Sequence, residues 1–185
     1  IHLGVVLWLS WTSGTPGDPD LAYTAQNFVE VFSDSRTYSV LIDTFAFALV
    51  SLAIALVFGI PAAWLAERTD FRAKTLLFTL MAIGLLIPGF AAAMCWLFLL
   101  HPRIGLLNQL LISTFGLAGP PLSITTILGM GWVQGLNLAP LAFIMTAAVF
   151  RSMDPTLEEA AEMHGASTWR VLRRITVRLA WPGIL

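Results

Sequence analysis

Long apolar stretches alternate with short polar ones along most of this chain. Three of the apolar stretches, residues 41–66, 75–100 and 124–150, reach the length of a membrane-crossing helix, which takes about 20 mainly apolar residues. The other segments are too polar or too short to cross a bilayer. The pattern therefore predicts an all-α fold, a polytopic transmembrane helical bundle whose core is residues 41–179.

The segments between the predicted spans differ in character. Residues 12–40 are polar and acidic, and we expect a solvated segment with one short amphipathic helix near residues 25–32. Residues 67–74 form a tight charged turn. Leucines at helical spacing within residues 104–115 predict a short helix that lies in the membrane interface.

Both ends of the sequence are predicted to be incomplete spans. Residues 1–11 are apolar but shorter than a bilayer crossing requires. A signal peptide is the alternative, although a basic start and a cleavage site of small residues are both missing from this stretch. Residues 180–185 resemble the start of a further span. We therefore expect a fragment of a longer membrane protein.

Charged residues are few and unevenly placed. They make up 11% of the chain and hydrophobic residues 57%, whereas soluble domains are about 25% charged. Of the ten Lys and Arg residues, three lie in residues 67–74 and five in residues 151–179. Because basic residues favour the cytoplasmic side of a membrane, both segments are predicted to be cytoplasmic and residues 12–40 periplasmic.

Polar side chains are rare inside the predicted spans. Gln134 and Asn137 lie near the middle of the third span and are followed by Pro140, which is expected to favour a kink. Amides at that depth should face another helix or a wet path rather than lipid, and both alternatives stay open. Asp43, at the outer edge of the first span, is expected to be an interfacial carboxylate.

Chemistry-bearing residues do not cluster in this sequence. The single Cys95 lies in an apolar run, and the three histidines lie far apart without a second ligand at metal-binding spacing. The sequence also lacks a Gly-rich phosphate loop followed by Lys. We therefore expect no catalytic residue, cofactor, bound metal or nucleic-acid partner, and no ATP binding by this chain itself.

The last charged segment predicts a helix, a turn and a second helix. Asp154 is suited to cap the first helix and Pro155 to begin it. Glu158 and Glu159 follow where the helix dipole favours anions, and Gly165 can take the left-handed conformation that ends a helix. A partner protein could approach the small residues beside Glu159 closely, although an ordinary interfacial hairpin is the alternative.

The second predicted helix is basic and apolar. Ser167 can cap it, and one side is expected to carry Trp169, Leu172, Ile175 or Thr176, and Leu179. Four arginines are placed to meet lipid headgroups or an acidic partner, namely Arg170, Arg173, Arg174 and Arg178.

Residues 159–176 resemble the EAA loop of permease subunits of ATP-binding-cassette (ABC) importers. The match consists of Glu159-Ala160-Ala161, a gap of three residues, Gly165-Ala166-Ser167 and the basic helix that follows. One difference is Arg178, where the family often has a proline. The exit of the first span, from Pro61 to Asp70, is similar to that of iron(III)-type permeases, and the chain resembles their first half.

This resemblance implies the type I permease fold of ABC importers and a transmembrane subunit in the bacterial inner membrane. It implies transport of iron(III) or, as the alternative, of thiamine, phosphonate, polyamine or another small solute. The ATPase-docking site that it implies consists of Glu158, Glu159, Ala160, Ala161, Gly165 and Ala166. The candidates for the translocation path are Gln134, Asn137 and Pro140.

The partners that the resemblance implies are a cytoplasmic ATPase dimer that binds the ATP, a periplasmic or lipid-anchored solute-binding protein, a second permease half or subunit, and the lipid bilayer. The alternative function is a gradient-driven secondary transporter or channel, which would need acidic residues at mid-membrane that these spans lack. A membrane-embedded scaffold or enzyme subunit is the third possibility.

Overall fold

Helices account for nearly all regular structure in the computed structural model, which describes residues 2–14 and 22–184. They divide between two units, Ile1–Ala46 and Phe47–Leu185. The one exception to the helical architecture in the described residues is a pair of two-residue strands. The all-α prediction is confirmed apart from this pair.

The N-terminal unit is built from short elements. It holds α1 (His2–Ser10), β1 (Thr12–Ser13), β2 (Ala22–Tyr23), α2 (Gln26–Ser33) and the start of α3. The strands pair antiparallel, and the side-chain amide of Asn27 donates to the backbone carbonyls of Ser10 and Thr12 at 3.2 and 3.0 Å. Helix α2 matches the short helix predicted near residues 25–32. The strand pair was not predicted, because two residues leave no alternating pattern.

The first predicted span lies within α3 (Ser35–Arg68), a single helix of 34 residues. At 1.5 Å per residue it is about 51 Å long, well above the bilayer's hydrocarbon thickness of about 30 Å. The helix begins six residues before the predicted start of the span at residue 41. The helix therefore contains the whole predicted span, residues 41–66, and extends beyond it at both ends.

The second predicted span, residues 75–100, is not one straight helix. Helices α4 (Lys74–Leu86) and α5 (Gly89–Leu100) meet at an angle of 98°. Proline lacks a backbone N–H and pushes the preceding residue into an extended conformation, and Ile87, before Pro88, has φ −72° and ψ 121°. In the described residues two helices, α3 and α7 (Ile127–Ser152), are long and apolar enough to cross, and the three predicted spans are matched if the bent pair α4 and α5 counts as one.

The short helix predicted within residues 104–115 is present as α6 (Leu106–Phe115). Its Asn108 is buried, and both the nitrogen and the oxygen of its side-chain amide are hydrogen-bonded. The side-chain amide donates to the carbonyls of Leu100, His101 and Leu122 at 3.3, 3.2 and 2.9 Å, and its oxygen accepts from the backbone N–H of Leu122 at 3.0 Å. Asn108 thus joins α5, α6 and the loop that leads to α7.

Small residues bring α3 and α7 close together. The buried positions of α3 recur every three or four residues, apart from one adjacent pair, at Ser51, Ala55, Gly59, Ala62, Ala63 and Ala66. A Cβ added to Gly59 would lie 2.7 Å from the Cβ of Ala142, and one added to Gly135 would lie 2.6 Å from the Cβ of Ile54. Small residues thus permit close packing of the two helices. We call this contact the α3–α7 crossing.

Beyond α7 the chain forms α8 (Thr156–Met163), α9 (Thr168–Val171), a π-helical segment (Leu172–Thr176) and α10 (Val177–Ile184). The last three are one continuous helical run, so no break separates the basic helix from the span expected at residues 180–185. In the π-helical segment the backbone N–H of Val177 donates to the carbonyl of Leu172, five residues earlier.

The π-helical segment changes which residues of this run are buried. The buried residues are Val171, Thr176 and Ala180, at 5%, 1% and 1% exposure, whereas Trp169 and Leu179 are exposed. The predicted apolar side is right at its centre, where Thr176 is buried and Leu172 and Ile175 are half-buried. It is wrong at its ends, Trp169 and Leu179, because it assumed an α-helical period throughout. Ala180 joins the core of the unit, in which it packs with Ala63, Phe143 and Phe150.

Candidate functional site

Helix α8 is closed at its start by the two residues predicted to do so. The carboxylate of Asp154 accepts a hydrogen bond from the backbone N–H of Thr156 at 3.0 Å, which satisfies one of the free donors of a helix start. Pro155 follows with a helical φ of −73°, and its carbonyl accepts from the N–H groups of Glu158 and Glu159 at 2.9 and 3.0 Å. The predicted helix start is confirmed.

The end of α8 is a Schellman motif. Gly165 has a φ of +79°. Its N–H donates to the carbonyl of Glu162 at 2.8 Å, and the N–H of Ala166 donates to the carbonyl of Ala161 at 3.0 Å. Nothing lies within 4 Å of a Cβ added at this glycine, so the backbone conformation alone requires glycine. The turn predicted at Gly165 is confirmed, and α8 is a short helix with both ends fixed.

One side of α8 is open to its surroundings. Glu159, Ala160 and Gly165 are exposed, and Ala161 and Ala166 are half-buried. A shallow groove on this side is lined by Thr156, Glu159, Ala160, Glu162 and Met163. Five of the six residues that the resemblance implied for docking are thus at least partly accessible on or just beyond this helix.

The sixth, Glu158, is buried and points the other way. Its Oε2 lies 3.2 Å from Nη1 of Arg68 at the end of α3, and its Oε1 accepts a hydrogen bond from the hydroxyl of Thr176 at 2.6 Å. The side chains of Arg68 and Glu158 are only 11% and 12% exposed. Grouping Glu158 with the surface-docking residues is therefore corrected, because both carboxylate oxygens are used inside the molecule.

Arg68 also contacts the end of α7. Its Nη2 donates to the backbone carbonyls of Phe150 and Met153 at 2.7 and 3.0 Å, while its Nε is buried without an acceptor in the described residues. We call Arg68, Glu158, Thr176 and these two carbonyls the polar junction. Removing one partner of a buried ion pair costs about 3–5 kcal/mol, so the polar junction is a strong constraint.

A second ion pair lies beside the polar junction. The guanidinium of Arg151 contacts Oε1 of Glu67 through two nitrogens, each at 2.8 Å, and lies 5.1 Å from the ring centroid of Phe78. The Arg151 side chain is 62% exposed. Such exposed pairs contribute about 0–1 kcal/mol. Two adjacent residues at the end of α3 therefore contact the end of α7. Glu67 does so through an exposed ion pair, and Arg68 through buried hydrogen bonds.

The three candidates for the translocation path do not form one site. Gln134 is exposed, Asn137 is half-buried, and Pro140 is buried. A Cβ added to Gly84 would lie 2.9 Å from Cγ of Pro140, so this proline packs against α4. Within residues 2–14 and 22–184, neither amide side chain makes a hydrogen bond. The interhelical hydrogen bond considered for them is therefore not seen in the described residues.

The fold and these contacts agree with the comparison to known families. Residues 55–185 match the family described as binding-protein-dependent transport system inner membrane component. The chain belongs to this family. The matched residues include Gly59 of the α3–α7 crossing, the polar junction and α8.

Individual relatives support the same assignment. The chain is 31% identical over 143 residues to the molybdenum transport system permease protein ModB of Haemophilus influenzae, covering 75% of this chain and 58% of ModB. It is 26% identical over 167 residues to the galactooligosaccharides permease GanP of Bacillus subtilis, covering 84% and 39%. The chain thus spans about half the length of these relatives. Neither is an iron permease, and the iron(III)-type resemblance is not confirmed.

Solved structures share the fold of this family member. A bacterial ABC transporter that imports alginate superposes with a TM-score of 0.67 at 19% identity, covering 99% of this chain and 63% of that chain. A bacterial alginate ABC transporter in complex with an alginate-bound periplasmic protein gives 0.62 at 23% identity, covering 85% and 56%. The type I permease architecture expected from the EAA resemblance is therefore the fold of this chain.

Proposed function

We propose that this chain is part of the transmembrane permease subunit of an ABC importer and that α8 is the element that docks on the ATPase subunit. The observation that carries the proposal is the two-sided character of α8. One side is exposed and bears Glu159 and Ala160, while Glu158 on the other side is held in the polar junction. Family membership and the permease relatives support the same role.

The geometry of α8 suits a contact that must transmit force. A helix of eight residues capped by Asp154 and ended by Gly165 changes shape less than a loop of the same length. The exposed Glu159 offers a carboxylate for a charge-assisted hydrogen bond to a basic group, and the small Ala160 next to it lets a partner's surface approach. ATP binding and hydrolysis belong, in this proposal, to the partner subunit.

In this proposal a solute-binding protein delivers the solute to the permease. The structure of an alginate ABC transporter in complex with its alginate-bound periplasmic protein supports this part of the proposal. The exposed side of α7 bearing Gln134 is the best candidate in this chain for a surface that lines the path or meets the second permease half. Pro140 is not part of that surface, because it packs against α4. The relatives differ in their solutes, so the proposal names a transporter class rather than a solute.

The docking proposal is tested by Glu159→Lys in the full-length transporter, with Asp70→Lys as the matched control. Both residues are exposed acids, but Asp70 lies in the turn after α3. We expect Glu159→Lys to lower the ATPase subunit retained on affinity-purified permease by about tenfold, since a charged hydrogen bond contributes about 1.5–3 kcal/mol. Membrane insertion should persist. Wild-type retention in Glu159→Lys would overturn the proposal.

A further inference from the structure

The attachment of α8 to the helical core rests on charge rather than on apolar packing. Of its eight residues, all of which the structure describes, Glu158 is the only buried one. The apolar side chains of α8 with the greatest reach, Leu157 and Met163, are 57% and 87% exposed. An amphipathic helix normally buries an apolar stripe to hold its place. In α8 a carboxylate takes that position.

Arg68 pairs with this carboxylate and thereby links three elements, its own helix α3 and two others. It sits at the last position of α3, its Nη1 contacts Glu158 of α8, and its Nη2 donates to Phe150 and Met153 at the end of α7. The planar fork of a guanidinium can make these contacts together, whereas the compact ammonium group of lysine could not. One side chain therefore connects α8 to the ends of both α3 and α7.

Thr176 adds a fourth element to the same network. Its hydroxyl donates to the second oxygen of Glu158 at 2.6 Å, and the residue is 1% exposed. Because Thr176 ends the π-helical segment, Glu158 is held from both sides, by α3 and by the helical run that follows α8. Glu159 is one helical position away, about 100° around the axis, and remains free to face a partner.

We propose that Arg68 is a positioning residue that, through Glu158, makes α8 and the ends of α3 and α7 move as one body. The inference rests on the proposed docking role of α8, because the purpose of the linkage is to carry a displacement of the docking helix into the membrane-spanning helices. Two consecutive glutamates then have different roles: Glu159 contacts the partner, and Glu158 connects α8 to the helical core.

The test measures the distance between α8 and α3 directly, in the full-length permease assembled with its ATPase in lipid nanodiscs. Spin labels are attached to Leu157→Cys on α8 and Leu65→Cys on α3, both exposed positions, in a Cys95→Ser background. The variants are Arg68→Gln and the matched control Arg72→Gln. Arg72 is exposed and, in the described residues, makes no ion pair or side-chain hydrogen bond.

We expect a single narrow distance distribution in the parent and in Arg72→Gln, with and without a non-hydrolysable ATP analogue. In Arg68→Gln the narrow peak should be lost while the ATPase subunit still copurifies. A role in stability alone would lower the yield of folded protein without broadening the distribution in the protein that folds. A narrow peak in Arg68→Gln would overturn the proposal.

Arg68→Gln leaves Glu158 as a buried charge and can fail to insert for that reason. The double variant Arg68→Gln/Glu158→Gln removes both charges and carries the test in that case, with the same loss of the narrow peak expected. Failure of both variants to insert would also overturn the proposal, since the network would then serve folding. The outcome is separable from the docking proposal, because the label distance is read without reference to how Glu159 behaves.

Discussion

The α3–α7 crossing and the polar junction bind the same two helices by different means. At the crossing, small side chains bring the backbones so close that a Cβ on Gly59 would lie 2.9 Å from the backbone nitrogen of Phe143. At the polar junction one arginine bonds to a carboxylate and two carbonyls. Between helices in lipid, close fit replaces the hydrophobic effect, whereas the short α8 is held by charge.

Each of these two regions should therefore be sensitive to a different kind of substitution. Added volume should break the crossing, where glycines leave no space. Lost charge should break the polar junction, where Arg68 and Glu158 are nearly excluded from solvent. Three substitutions separate these sensitivities.

The largest effect is expected from Gly59→Leu. Its Cβ would lie within 3 Å of Ala142 and of the backbone of Phe143, and backbone atoms cannot move aside as a flexible side chain can. We expect a loss above the roughly 4–5 kcal/mol that only exceptional single substitutions reach, and therefore no folded protein. The measurement is the monodisperse fraction on size-exclusion chromatography after detergent extraction.

Gly89→Leu is the control for added volume, because nothing lies within 4 Å of a Cβ placed there. It should give a monodisperse fraction close to that of the parent protein. Equal losses in both variants would show that apolar bulk, and not the crossing, limits folding.

A smaller effect is expected from Glu158→Ala. The substitution leaves the guanidinium of Arg68 buried without its carboxylate partner, and removing one member of a buried pair costs about 3 kcal/mol or more. Thermal unfolding of the purified permease in detergent should show a lower unfolding temperature for this variant than for the parent protein. Glu159→Ala, one residue away and exposed, should unfold at the parent temperature. A Glu158→Ala variant as stable as Glu159→Ala would contradict the buried polar junction.

The smallest effect is expected from Arg151→Ala. This residue pairs with Glu67 at 2.8 Å but is 62% exposed, and exposed ion pairs are worth about 0–1 kcal/mol. The same thermal unfolding assay should therefore show a small change that shrinks further when salt is added. A loss as large as that of Glu158→Ala would mean that burial does not distinguish the two pairs.

Local rules predicted the ends of α8 because each depends on residues a few positions apart. Asp154 accepts from Thr156, and Gly165 takes a positive φ that other residues disfavour. Both features can be read from the order of residue types. The same holds for the small residues of α3, whose spacing along the helix places them on one side.

The proline rule, in contrast, did not discriminate between positions. Pro61 and Pro140 lie inside continuous helices, whereas the chain turns by 98° at Pro88. The rule that proline favours a kink treats all three positions alike. Whether a proline bends or breaks a helix depends on how neighbouring elements hold the two sides, and that information is not local.

The polar junction could not be predicted for a related reason. Arg68 and Glu158 are distant in sequence, and each had a local explanation: one counted toward the cytoplasmic charge and the other toward the helix dipole. Thr176 was predicted only as an alternative to Ile175 on the apolar side of its helix, and its buried position lies at the end of the π-helical segment. Neither local explanation is wrong, but the pairing arises only when α3, α7 and α8 pack together.

The extra residue within the π-helical segment bears on how this region tolerates changes in chain length. A π turn accommodates one residue more than an α turn, so Val171 and Thr176 share a side although they are five positions apart. Were a single residue deleted between them, an ordinary α-helix with a spacing of four would still hold both on that side. A deletion inside α7 would instead rotate everything beyond it by about 100°. The stretch next to Thr176 is thus the place where this helical run can lose one residue and keep its phase.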